Sequence, residues 1–350
     1  MNKNIRKISY QQAISEALSQ EMERDPRVFT YGLDVADHKS IFGSTAGLVK
    51  KFGPKRCFST PLSEEALMGF GIGAALNGLR PVNIHIRVEF LLLAMNQLAN
   101  IASSLRYGSK GELSVPIVIR VIIGRGWGQG YQHSKSLQSF FAHIPGLKVI
   151  MPTTPYDMKG LLVSAIRDND PVICLEHRWL YWIEDHVPEE LYTVPIGQSH
   201  IIRKGSDVTV VATSWMNVEA HDAANILAKR GVNIEIIDPR TISPLDDRTI
   251  IDSVNKTGHC IVADYDWLNC GFGSEVSARV SEKCFRKLKS PVTRIGFAPT
   301  PCPTTRPLEN LFYPNAVSIV RAVEKKMSLK EADLRKESFH TWENKFRGPF

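Results

Sequence analysis

The sequence is poor in the features that mark several functional classes. Its six cysteines, Cys57, Cys174, Cys260, Cys270, Cys284 and Cys302, include no Cys-x-x-Cys pair. That argues against a zinc site or a disulfide framework and suits free thiols in a reducing compartment. No apolar run is long enough to span a bilayer, and the N-terminal Met-Asn-Lys-Asn-Ile-Arg-Lys has no apolar core behind it. Neither anchor nor signal peptide is therefore expected, and the expected location is the cytoplasm. Basic residues alternate with acids instead of forming runs, and a net charge of +7 is modest for 350 residues. Without a basic stripe interleaved with aromatics, nucleic acid is not an expected partner. There is no P-loop motif and no internal repeat. Gly69-Phe70-Gly71-Ile72-Gly73 has the wrong spacing for a dinucleotide fingerprint, and its acids precede the glycines instead of following them on the next strand.

What is present is ordinary globular composition, 43% hydrophobic and 23% charged, with length enough for two cores. Ser9 with Gln12 three residues on makes a capping box, and Ala13, Ile14, Ala17, Leu18 and Met22 follow at helical spacing. Short apolar runs then alternate with helical patterns along the chain, the signature of α/β architecture with mostly parallel sheets flanked by helices. The expected domains are 1–185 and 199–327, joined by a linker over 186–198 and followed by a charged tail over 328–350.

The chain is organised around Ser59 to Gly78. Ser63 is the expected N-cap, Glu64 and Glu65 fall in the first turn, and Gly78 and Pro81 enforce the stop. Gly69, Gly71 and Gly73 weaken this helix by roughly 2–3 kcal/mol relative to alanine. The spacing of Gly69 and Gly73 predicts close approach of another backbone, a partner helix being the simplest.

After it, Val82 to Glu89 alternates, with Val82, Ile84, Ile86 and Val88 on one face and Asn83, His85, Arg87 and Glu89 on the other. The polar face fits either an edge or half-solvated strand, or a strand that faces a site or a subunit seam. A helix containing Leu92, Ala94, Met95, Leu98 and Ile101 is expected next. The loop Gly124 to Ser134 then has four glycines in seven residues and delivers His133 to the following helix, a usual setting for catalytic residues.

Thr60-Pro61-Leu62-Ser63-Glu64, Gly78-Leu79-Arg80-Pro81, Gln132-His133-Ser134, Pro145-Gly146-Leu147-Lys148-Val149, Lys159-Gly160-Leu161 with Ala165-Ile166-Arg167-Asp168, and Gly271-Phe272-Gly273 together resemble the beta subunits of the thiamine-diphosphate 2-oxo acid dehydrogenases of the pyruvate, branched-chain and acetoin types. The resemblance runs from about Ile8 to Lys326 and implies a transketolase-like pyrimidine-binding domain followed by a transketolase C-terminal domain. It also implies an oxidoreductase of two alpha and two beta chains with cofactor at the alpha–beta interfaces. Glu64 matches the glutamate on the aminopyrimidine ring, Phe90 and Ile86 its neighbours on that ring, and His133 the active-site histidine. Proton exchange between such a carboxyl group and the ring activates the thiazolium carbon, which suits a carboxyl kept partly out of water. Only register favours Glu64 over Glu65.

The family's alpha subunit holds the diphosphate and magnesium through Gly-Asp-Gly, and no Gly-Asp-Gly occurs here. The resemblance thus implies that this chain holds the pyrimidine half alone. It also implies a potassium ion on the backbone carbonyls of Ile117, Ala165, Asp168 and Asp170, and association with a lipoyl acyltransferase.

Departures bear on the reaction. Leu33 stands where many relatives have Glu, as does Ile84, and His85 and Arg87 add polarity beside the cofactor residues. The expected reaction is decarboxylation of pyruvate or a related 2-oxo acid with transfer of the acyl unit to lipoamide. Two alternatives stand beside it: a carboligation that passes a two-carbon unit to a carbonyl acceptor such as a sugar, with Arg87 and His85 on the substrate, and a non-catalytic structural subunit.

Overall fold

The computed structural model describes residues 6–124, 128–335, 337 and 339. Arg125, Gly126 and Trp127 of the glycine-rich loop and residues 340–350 of the tail lie outside the described residues. The chain forms two compact units, one of Met1–Ile123 with Phe140–Ile196 and one of Gly124–Ser139 with Gly197–Phe350.

The first unit carries a parallel sheet in the strand order Lys148–Ile150, Val172–His177, Val118–Ile123, Arg80–His85, Val28–Gly32 and Cys57–Ser59. Its inner strands are near-continuous apolar runs because helices cover both faces. The helix Tyr10–Arg24 opens on the expected capping box at Ser9 and Gln12, and it packs against Pro155–Arg167, capped by Thr154. Lys159, fully buried, donates to Glu16 at 2.6 Å and to the carbonyls of Pro188, Glu189 and Glu190, tying this helix to the chain that leaves the unit.

A fully buried ion pair sits inside the sheet. Arg120 donates to Glu176 on the neighbouring strand at 2.6 and 2.9 Å, and Tyr181 donates to the same carboxylate at 2.5 Å. Arg120 also reaches the Ser44 hydroxyl at 3.0 Å, so the pair fixes the loop that follows Val28–Gly32. The two-pronged geometry and the further bond from Tyr181 favour the buried charges, although Arg120 Nη1 has no partner among the described residues.

The helix Glu64–Leu76 has nearly the expected limits. Its end is a Schellman turn: Leu79 N–H bonds Ala74 O, Gly78 N–H bonds Ala75 O, and Gly78 takes φ +86°. Its start differs from expectation, because the Ser63 side chain makes no capping hydrogen bond. Gly71 is the glycine that the unit itself requires: a Cβ there would strike Tyr31 Oη and lie 2.8 Å from Ile117 Cδ1. A Cβ on Gly69 or Gly73 would meet nothing within 4 Å. The close neighbour predicted for that pair is therefore not part of this chain among the described residues.

The expected strand Val82 to Glu89 is shorter. It runs Arg80–His85, is paired on both sides, and hands over through Ile86 and Arg87 to the short helix Val88–Leu91. Both faces are buried, so the polar alternation does not mark an edge. The single helix expected after it is broken into a 3-10 turn at Leu92–Ala94, a π-helical stretch at Gln97–Ala102 and a short helix at Leu105–Gly108.

The second unit has a five-stranded sheet in the order Thr293–Phe297, Cys260–Trp267, Val208–Ala212, Ile234–Asp238 and His200–Arg203. The last strand is antiparallel to its neighbour and the others are parallel. Trp215–Ala228, Asp247–Thr257, Phe272–Cys284 and Ala316–Lys326 are its longer helices, the last with a capping box at Asn315 and Ser318. Part of the charged tail returns to this unit: Ala332 N–H bonds Glu324 at 2.8 Å and Lys229 pairs with Glu337 at 2.7 Å.

Candidate active site

In a parallel sheet the carboxyl ends of the strands collect ligand-binding residues. Glu64 follows Cys57–Ser59 by one short turn, and Ile86, Arg87 and Phe90 follow Arg80–His85. Val28–Gly32 separates these two strands, with Gly32 in register with both Ser59 and Ile84, so their ends stand level and about 10 Å apart. Glu64 is half-buried and accepts no hydrogen bond from the described residues, whereas exposed Glu65 accepts one from Gln97 Nε2 at 2.9 Å. Phe90 is 37% exposed and Ile86 half-buried, offering an apolar surface beside the carboxylate edge.

His85 and Arg87 are buried. Burial holds the His85 imidazole down at about 4, neutral at physiological pH, and its Nε2 finds no hydrogen-bond partner among the described residues. Arg178, one residue past the strand Val172–His177, is buried too and lies over the Phe42 ring at 4.4 Å. Its guanidinium is lowered to about 9, first by burial and then by the charge of Arg87. The sequence offered no sign of Arg178, because the charge that faces it is carried 91 positions away.

His133 belongs to the second unit, at the end of a 3-10 turn over Gly130–Gln132. Gly130 takes φ +63° there, and a Cβ on it would lie 2.7 Å from Thr304 Oγ1, which explains one glycine of this loop. The residues after His133 are held firmly: Tyr313 donates to Ser134 O at 2.9 Å, Gln138 Nε2 to Asp264 at 2.9 Å, and Ser139 to Asp266 at 2.9 Å. Asp264 and Asp266 lie on the strand Cys260–Trp267, which continues through a register shift between Ala263 and Trp267, and no local pattern in the sequence singled them out.

The four carbonyls expected around potassium lie in the first unit. Ile117 O accepts from Val172 N–H at 3.0 Å, Ala165 O from Asp168 N–H at 3.2 Å, and Asp168 O from Arg80 at 2.8 Å. Each such oxygen keeps a second lone pair. Lys148 is paired with the Asp168 and Asp170 carboxylates at 2.7 and 3.1 Å.

Residues 6–182 match the family described as "Transketolase, pyrimidine binding domain", and 197–319 match "Transketolase, C-terminal domain". Over 332 residues the chain is 43% identical to the beta subunit of acetoin:2,6-dichlorophenolindophenol oxidoreductase of Cupriavidus necator, covering 92% of this chain and 98% of that one. It is 40% identical to the 2-oxoisovalerate dehydrogenase subunit beta of Bacillus subtilis, covering 90% and 97% of the two chains. It is 38% identical to the mitochondrial pyruvate dehydrogenase E1 component subunit beta of Ascaris suum, covering 92% and 91%. The chain belongs to the 2-oxo acid and acetoin dehydrogenase beta subunits. A split-gene transketolase solved as an inactive beta4 tetramer shares the fold, with a TM-score of 0.73 at 21% identity over 93% of this chain and 99% of that one.

The beta-subunit family is thiamine-diphosphate dependent, and the residues at the carboxyl edge fit the pyrimidine half of that cofactor. A carboxylate that accepts no hydrogen bond from the described residues follows one strand end, and a partly exposed aromatic residue and a half-buried aliphatic one follow a second strand end level with it. In this beta subunit Glu65 is distinguished from Glu64 by its bond to Gln97.

Proposed function

We propose that this beta subunit joins an alpha subunit, two of each, to form a thiamine-diphosphate-dependent enzyme that decarboxylates pyruvate or a related 2-oxo acid and passes the acyl unit to lipoamide. Identity of 38–43% across nearly the full length of three beta subunits is the observation that carries this reading. When bound, the cofactor supplies the carbanion-stabilising chemistry that decarboxylation needs. Glu64 holds and exchanges a proton at the pyrimidine ring, Phe90 and Ile86 orient that ring and exclude water from it, and His133 moves a proton at the reacting carbon. The alpha subunit supplies the diphosphate and magnesium site. A potassium ion on the carbonyls of Ile117, Ala165, Asp168 and Asp170 steadies the segment between Pro155–Arg167 and Val172–His177.

An exposed apolar surface supports a partner. Leu62, Phe70, Leu76 and Leu93 are 40–69% exposed, and the open Gly69 and Gly73 share the helix of Glu64. An assembled, cytoplasmic enzyme covers that face, and a lipoyl acyltransferase takes the acyl product from it. The domains follow residues 1–185 and 199–327, with 186–198 as linker and 328–350 as tail.

Burial of both Arg87 and Arg178 favours a second reading of the acceptor, a carboligation in which Arg87 and His85 contact a carbonyl substrate bearing polar or anionic groups. The test is reconstitution with an alpha chain of the family, followed by pyruvate turnover with dichlorophenolindophenol and then with lipoamide or a sugar aldehyde. Dye reduction with transfer to lipoamide supports the dehydrogenase, and transfer to the aldehyde alone supports the carboligase. No turnover from a correctly assembled complex over a panel of 2-oxo acids would overturn both and leave a structural subunit.

A further inference from the structure

The segment behind His133 is attached by an unusual device. Asp264 and Asp266, both buried, alternate along the last residues of Cys260–Trp267 and each takes one residue of the segment. Asp264 Oδ1 accepts from Gln138 Nε2 at 2.9 Å and from Thr213 at 2.6 Å, and Asp266 Oδ2 accepts from Ser139 at 2.9 Å. Gln138 is fully buried, and its Nε2 also reaches Tyr265 O at 3.4 Å. We infer that Asp264 and Asp266 are positioning residues for His133, stapling the segment that carries it to the end of this strand. The inference rests on the proposed role of His133 in the reaction.

Two carboxylates so close and so deep cannot both carry a charge without large expense. Burial raises both acids, and Asp266, pushed further by the charge of Asp264, reaches about 8. Among the described residues no lysine, arginine or histidine pairs with either acid; their partners include Gln138, Thr213, Ser139 and the Trp267 N–H, so retaining one proton costs less than ionising both. Arg294, whose stem lies beside Gly273, bonds Leu268 O and Ser274 Oγ. The N-terminus of Phe272–Cys284 faces Asp264 through Gly273 N–H and directs any charge to that acid.

The staple therefore holds while the pair keeps one proton and loosens when both acids ionise. Hydrogen exchange of peptides spanning 128–139 in the full-length chain reads this directly. After correction for the chemical exchange rate, protection in the unmodified chain should fall by at least about fivefold between pH 7 and pH 9, while Asp266→Asn should keep its protection across that range. Ser139→Ala, which removes one hydroxyl and no charge, should lower protection at pH 7. Identical exchange in all three chains at every pH would overturn the staple. In the complex with the alpha subunit, Asp266→Asn should move the alkaline decline of kcat for pyruvate upward by at least about one pH unit, with KM little changed. If exchange responds but the kcat profile does not, the positioning role is overturned. His133→Ala separates the two premises: full activity in that variant removes His133 from the reaction, while the exchange result stands by itself.

Discussion

Gln97 Nε2 donates to Glu65 at 2.9 Å, and the adjacent Glu64 accepts nothing from the described residues. Two neighbouring acids in one helical turn are thereby given different tasks, one tied to the broken helix beside it and one left open for a ligand. Glu64→Gln should nearly abolish deuterium exchange at the thiazolium carbon of bound thiamine diphosphate, by at least about a hundredfold, while Glu65→Gln should retain most of it. Equal losses would assign the proton to the wrong carboxylate.

The three glycines of that helix should separate in mutagenesis. Gly71→Ala collides with Tyr31 and Ile117 and should lower the stability of the chain by about 1–2 kcal/mol after the gain in helix propensity. Gly73→Ala meets nothing within 4 Å and should stabilise the isolated chain by up to about 1 kcal/mol. Its affinity for the alpha subunit should nevertheless drop at least about tenfold. Urea melts and sedimentation of the mixed subunits measure the two effects, and unaltered assembly would mean that the open glycine face is solvent.

Cofactor binding should require both chains. Titrated with thiamine diphosphate and magnesium, the isolated chain should show weak heat or none, and tight binding should appear on addition of the alpha subunit. Tight binding by this chain alone would contradict a site shared between subunits.

Arg87→Ala should leave dye-linked decarboxylation in part and cut transfer to the natural acceptor by at least about tenfold, or roughly 1.4 kcal/mol of transition-state stabilisation. Unchanged transfer in an assembled variant would return Arg87 to a structural role and strengthen the lipoamide reading.

His85 gives the fold an acid weakness. Its folded value of about 4 lies below the unfolded value of about 6.5, so between those limits the unfolded chain binds a proton that the folded chain does not. Stability from this group is intact above the window and declines as pH falls through it, by on the order of 3 kcal/mol at most. His85→Gln should flatten that part of the stability profile in urea titrations between pH 4 and 7. A profile identical to the parent would show that the imidazole titrates normally.

Much of the architecture could be read locally. The capping box at Ser9 and the stop at Gly78 are decided by a handful of adjacent residues, and alternating strands and helices declared the fold class. The misreading of Val82 to Glu89 has a physical cause. On a strand paired at both sides, polar residues can be buried, so alternation no longer reports solvent, and Arg87 could cap a helix without breaking the pattern. Glu64 and Phe90 were found by resemblance, whereas Arg178 and the Asp264/Asp266 pair were not. Their significance depends on contacts such as Gln138 with Asp264, 126 positions apart, which no local pattern encodes.

The division of the chain has a consequence for its synthesis. Residues 124–139 belong to the second unit although residues of the first unit follow them, up to Ile196. As the polypeptide leaves the ribosome, the six parallel strands of the first unit are all present once His177 has emerged, yet Asp264 and Asp266 are still untranslated. Folding from the N-terminus thus completes the carboxylate half before the histidine segment has anything to dock on. A nascent chain stalled between these points would display Glu64 on a finished scaffold and His133 on an untethered one. Pulse proteolysis of arrested chains, cutting within 128–139 until the strand Cys260–Trp267 is released, would reveal that order.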